Sequence, residues 1–158
     1  MNNSLDAISF DLDSTLSPQT RRTSSADRLI HLAGRSLVAL VFLTSGIGKL
    51  MALQGTAAYM RSKGLPAALL LAVAASILEI TAGAFVAAGL RARAAAMVLA
   101  AFLILVTAIF HNPWGLPAAE AQAQAQQVFK NLAILGGLLL VAMHVPAPER
   151  SRPGSKVL

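Results

Sequence analysis

From residue 29 onward the chain reads as long apolar stretches separated by short polar breaks. No charged side chain occurs in 36–48, 94–119 or 131–148, and Glu79 is the only one in 64–90. A helix rises 1.5 Å per residue, so about 20 mostly apolar residues cross a hydrocarbon layer about 30 Å thick. The pattern therefore predicts spanning helices at 29–50, 67–89, 92–111 and 127–145. Ala and Leu dominate them, and the alternation and Gly/Asn hairpin signals of a transmembrane barrel are missing. The expected fold class is all-α: a four-transmembrane-helix bundle over 29–145, with a polar tail at 1–28 and a basic tail at 146–158.

Composition supports this reading. The 158 residues are 56% hydrophobic and 13% charged, with mean hydropathy +0.64, whereas an ordinary soluble domain is about 25% charged. That bears directly on the stretch ISFDLDSTL at 8–16. It resembles the first motif of haloacid dehalogenase-type phosphatases, with Asp11 as nucleophile, Asp13 as acid/base and Thr15 beside them. Such chemistry needs an α/β sheet, a distant Lys and further acids to hold Mg²⁺ and the phosphoryl group. A chain committed to spanning helices has no sequence left to build that sheet, and a motif without its context is not a site. The expectation is a polar tail. It does not read as a signal peptide either, because acidic residues come first and the next apolar run is of full spanning length.

Four spans put both termini on one side. Counting that side gives nine basic residues (Arg21, Arg22, Arg28, Arg35, Arg91, Arg93, Arg150, Arg152, Lys156), against four on the other (Lys49, Arg61, Lys63, Lys130). Cytoplasmic segments carry the Lys/Arg excess, so both termini are expected in the cytoplasm. The single Tyr and single Trp, Tyr59 and Trp114, then fall in the outer loops, where aromatic rings sit at headgroup level. The net charge of +6 is scattered over helix ends. Contact with anionic lipid accounts for it better than nucleic acid, which calls for a basic face with interleaved aromatics. There is no cysteine, so any thiol redox chemistry would need a partner's sulfur.

Charges inside spanning helices are expensive and mark candidate sites. Glu79 lies twelve positions into the second predicted span, about 18 Å from its outer end. Arg35 lies about 9 Å and Glu79 about 15 Å from the inner side, an offset of roughly 6 Å that an Arg side chain bridges. The expectation is an Arg35–Glu79 ion pair, serving either to lock two helices or to leave a buried, titratable carboxylate. Arg35, Phe42 and Lys49 repeat every seven residues, as do Lys130, Gly137 and His144, so each set forms one stripe turned towards the bundle centre. Lys49, His111 and Lys130 share the outer level. Basic groups gathered there repel one another unless an anion, a carbonyl oxygen or an acid intervenes. That suggests an outward-facing basic pocket, against the alternative that the lysines snorkel to the interface. No metal site is expected, since His31 and His144 belong to the opposite end from His111.

These motifs, taken in order, resemble a known family. GRSLVALVFLTSGIGKL (34–50), KGLP (63–66), LEITAG (78–83), GLRAR (89–93), FH (110–111) and FKNLAILGG (129–137) are similar to the DoxX family of small four-helix integral membrane proteins. The resemblance implies a bacterial inner-membrane protein associated with redox chemistry, whose relatives include a membrane subunit of a thiosulfate:quinone oxidoreductase and a component of a thiol-redox complex. The family's recurring polar residues correspond here to Arg35, Lys49, Glu79, His111, Lys130 and Asn131.

The leading expectation is a redox-associated subunit binding a quinone-like or anionic molecule through Lys49, His111, Lys130 and Asn131, with Glu79 and His111 relaying protons. Its partners would be the lipid bilayer, a redox protein and further copies of itself. The alternatives are a non-catalytic assembly or anchoring subunit and, less favoured, a small-solute transporter, for which no internal repeat with broken spans is evident. No haem, flavin or iron–sulfur signature occurs, so any redox cofactor would be transient, such as quinone.

Overall fold

A computed structural model describes residues 25–144. Every regular element among them is a helix: α1 (Ser25–Met51), α2 (Leu53–Ser62), α3 (Ala68–Ala88), α4 (Ala92–Phe110) and α5 (Ala118–His144). Four of these, all but α2, are long and apolar enough to cross a membrane. The ISFDLDSTL stretch and the basic C-terminal tail lie outside the described residues.

The four long helices form a ring in which α1 packs on α3, α3 on α4, α4 on α5 and α5 back on α1. Each neighbour runs antiparallel, the up-down-up-down order that short connections impose. Large apolar side chains such as Leu37, Leu70, Ile104 and Leu140 point outward and are exposed. Such a surface suits hydrocarbon, where lipid tails are as apolar as Leu and helices therefore associate by close packing and polar contacts rather than by hydrophobic burial. The buried centre is accordingly made of small residues. Ala39, Ala82, Ala95, Ala96 and Ala100 surround Phe42, Val86, Leu99 and Leu138. Gly137 of α5 faces α1, where a Cβ would come 3.0 Å from Val38 Cγ2, so these two helices pack closely there.

Two features depart from the sequence reading. The helix α2 occupies the first connection, where no element was expected, and packs Ala57 and Met60 against Ala68, Ala72 and Phe110. It ends in a Schellman turn: Leu65 N–H donates to Met60 O at 3.1 Å and Gly64 N–H to Arg61 O at 2.9 Å. Gly64 supplies the left-handed φ of 76° that this turn requires, and Pro66 stops continuation. The second departure is α5, which begins at Ala118 rather than near 127. The segment AEAQAQAQQ is polar but made of strong helix formers, so the helix runs about 40 Å and projects beyond the apolar layer.

Candidate functional site

The α1/α3 seam sets the register of the buried charges. A Cβ at Gly46 would lie 2.9 Å from Ser76 O and 3.1 Å from Glu79 Cβ, while one at Gly89 would lie 2.6 Å from Arg35 Nη1. Glu79 is thus level with Gly46, and Arg35 is level with the end of α3, about 16 Å away along α1.

The expected Arg35–Glu79 pair is therefore corrected. Glu79 pairs with Lys49, whose Nζ lies 3.0 and 2.8 Å from the two carboxylate oxygens. The error lay in treating the ends of the predicted spans as level. Gly89, the presumed end of the second span, sits opposite residue 35 rather than residue 29, a slip of six residues or about 9 Å. Arg35 instead lays its guanidinium over Gly89 at the C-terminal end of α3, where a cation complements the helix dipole. Its Nε is buried and makes no hydrogen bond among the described residues.

Lys49 Nζ also donates to Ser45 Oγ, so the ammonium's three donors are matched by three acceptor atoms. The Glu79 side chain is 5% exposed and that of Lys49 25%. The pair faces a cavity of about 280 Å³ at the end of the bundle distal to the termini. His111, Lys130 and Asn131 line the same cavity, as does Tyr59. All of the residues expected to bind a ligand are thus brought together, and Arg35 is not among them. Lys130 is exposed at the rim and donates to Gln127 Oε1.

Two hydrogen bonds tie α4 to α5 beside the cavity. Asn131 Nδ2 donates to Thr107 Oγ1 at 2.9 Å, and Thr107 Oγ1 in turn donates to Leu103 O at 2.6 Å. One turn further along α4, His111 Nδ1 lies 3.0 Å from Gln124 Oε1. Gln124 Oε1 is an acceptor, so His111 Nδ1 is the donor in this contact. Asn131 is 7% exposed, and its tie to Thr107 keeps its amide from being buried without a partner.

Sequence reasoning missed Ser45, Thr107, Gln124 and Tyr59. Ser45 and Thr107 each precede a recognised residue, Lys49 and His111, by one helical turn, and Gln124 precedes Asn131 by two, so helical spacing was the available signal. Tyr59, read as an interface anchor, stacks on Phe110 with ring centroids 5.5 Å apart, and Lys63 Nζ lies 5.6 Å from its ring centroid. Its helix α2 carries it over the cavity wall. Among the described residues no group of three or more His, Asp or Glu side chains is placed to hold a metal ion.

A four-span helical bundle with polar side chains converging on one membrane-embedded cavity defines the class: a small multi-pass membrane protein with a candidate binding site. The DoxX family model matches residues 30–112, more than half the chain, and the chain belongs to the DoxX family. It is 34% identical over 115 residues to inner membrane protein YqjF of Escherichia coli K12, covering 73% of this chain and 83% of that protein. It is also 29% identical over 122 residues to inner membrane protein YphA of the same organism, covering 77% and 87% respectively. No solved structure matches. With its four apolar helices, these relatives make it a multi-pass protein of the bacterial inner membrane.

Proposed function

We propose that this chain is a redox-associated inner-membrane subunit that binds a quinone-like or anionic small molecule in the distal cavity. The observation that carries the reading is the convergence of the Lys49–Glu79 pair, His111, Lys130 and Asn131 on one space of about 280 Å³, close to the lower end of the range of about 300–1,000 Å³ usual for ligand pockets. Glu79 offsets the charge of Lys49, so Lys130 and His111 remain to favour electron-rich oxygen. A quinone carbonyl would accept hydrogen bonds from Lys130, Asn131 or His111, and the charge that develops on reduction would be stabilised by the same donors. Electrons would come from a partner protein, and protons through His111 or Glu79. The Lys/Arg excess at the terminal end supports cytoplasmic termini and a cavity on the outer side.

A second reading, an assembly or anchoring subunit without a ligand, is favoured by the full engagement of Lys49 with Glu79 and Ser45, which suits a helix lock. Native mass spectrometry of the protein extracted in mild detergent separates the two. A quinone-sized mass that is lost in Lys130→Gln supports the binding reading. A partner chain with no small molecule, unchanged in Lys130→Gln, rejects it in favour of assembly. Lys130 is exposed, so its replacement leaves the bundle folded.

A further inference from the structure

The distal cavity is separated from a lipid-facing groove by a thin wall. A groove runs along the outer side of the α4/α5 seam in two connected segments, one of about 210 Å³ and a wider one of about 580 Å³ reaching Trp114. Both segments include Thr107 and Ala108. Asn131 and Leu103 line the inner cavity and the narrow segment alike, and His111 lines the inner cavity and the wide one. The wall between cavity and groove is therefore one side chain thick. Polar contacts across it are the Thr107–Asn131 and His111–Gln124 hydrogen bonds, beside the apolar core that Leu99 and Leu103 of α4 share with Leu138 of α5. Between these ties α4 presents Ala108, whose methyl group leaves the seam shallow. Away from the ties the groove is walled by Ile104, Leu132, Leu135, Val128 and Phe129.

A ligand that was wholly polar would have no use for an apolar groove joined to its cavity. A ligand with a polar head and a hydrocarbon chain fits both compartments and can arrive by lateral diffusion. Resting on the binding role proposed above, we propose that the ligand is a membrane-borne amphiphile: its head occupies the distal cavity, its chain leaves through the α4/α5 seam between the two ties, and the chain lies in the groove past Ala108.

The test uses the full chain in lipid nanodiscs and two probes, a dimethoxy-methyl-benzoquinone without a side chain and the same headgroup carrying a decyl chain. Trp114, the chain's single tryptophan, lines the wide segment, and quinone quenching of its fluorescence reports saturable binding. Ala108→Phe fills the groove at an exposed position outside the inner cavity. Ala101→Phe, on an exposed face of the same helix outside the groove, controls for an added lipid-facing ring. Partition of the probes into the bilayer is common to all three proteins, so differences among them isolate the groove.

The expected result is that Ala108→Phe weakens the decyl probe about tenfold while the bare headgroup binds as in the parent and Ala101→Phe changes neither. Equal decyl affinity in the parent and Ala108→Phe, with the headgroup still bound, overturns the groove assignment and leaves the cavity reading standing. Saturable binding of neither probe to the parent overturns the quinone reading and this inference together.

Discussion

The α1/α3 and α4/α5 seams are built on opposite principles. At α1/α3 the backbones approach closely: a Cβ at Gly46 would sit 2.8 Å from Ile80 Cγ1 and 2.9 Å from Ser76 O, and one at Gly83 3.4 Å from Ala39 O. A buried ion pair, Lys49–Glu79, then ties the same seam. At α4/α5 the polar contacts beside the cavity are two hydrogen bonds without an ion pair, and an apolar groove opens along the outside. In hydrocarbon, tight small-residue packing is the main source of helix association, while a neutral interhelical hydrogen bond contributes on average only about 0.6 kcal/mol. The first seam is therefore the expected rigid frame, and the second, although both of its helices contribute to the buried core, is the one expected to part first. A polar cavity enclosed between a rigid wall and a compliant one is suited to admitting something from the membrane.

The largest expected effect comes from breaking the charge pair of the rigid seam. Lys49→Met leaves the Glu79 carboxylate buried without a counter-charge, and removing one partner of a buried pair costs about 3 kcal/mol or more. Glu79→Gln should cost less, because the partly exposed ammonium of Lys49 can reach towards the interface. The double variant should recover part of the Lys49→Met loss. Thermal unfolding in detergent reads all three, and equal losses for the two single variants would mean that the pair is not as asymmetrically buried as its 5% and 25% exposures indicate.

A smaller effect tests close packing alone. Gly46→Val must push Ile80 and the backbone of Ser76 aside, and overpacking of this kind costs about 1–3 kcal/mol. The loss should show as a lower unfolding temperature, whereas Gly136→Val, where a Cβ would meet nothing within 4 Å, should be nearly neutral. If both variants melt alike, the α1/α3 seam is not the tight one.

The smallest effect on stability belongs to the compliant seam. Asn131→Leu removes the tie to Thr107 and replaces a polar group by an apolar one, so stability should change by no more than about 1 kcal/mol. Amide hydrogen exchange on α4 around Thr107 should nevertheless speed up relative to α1 around Gly46. Uniform protection of both helices would remove the distinction between the seams.

Much of this protein was legible in its residues. The count of spanning helices follows from hydropathy, because an unpaired backbone group in hydrocarbon is so unfavourable that an apolar run of spanning length has few options besides a helix. The common level of Lys49, His111 and Lys130 was readable for a related reason: helices that cross the same layer bring their ends to the same depth, whereas Asn131 was indicated by the family resemblance. The helix α2 and the first turns of α5 escaped because they lie outside the apolar runs, where hydropathy is silent and only propensity and turn chemistry speak. The place of Tyr59 on the cavity wall escaped for the same reason, since it depends on α2.

The partner of Glu79 belongs to a different category. Depth counted from the predicted helix ends favoured Arg35, yet a shift of six residues in how α3 lies along α1 decided for Lys49. Such a shift depends on which glycine meets which backbone carbonyl, as Gly46 does Ser76 and Gly83 does Ala39, and that is a property of two packed surfaces rather than of either segment. The sequence by itself thus determined a four-span bundle and the side chains gathered at its distal end, because the bilayer constrains each helix independently. Only the tertiary structure decided which charges meet, which seam is tight and which is open, because register and gap width arise from the fit between helices.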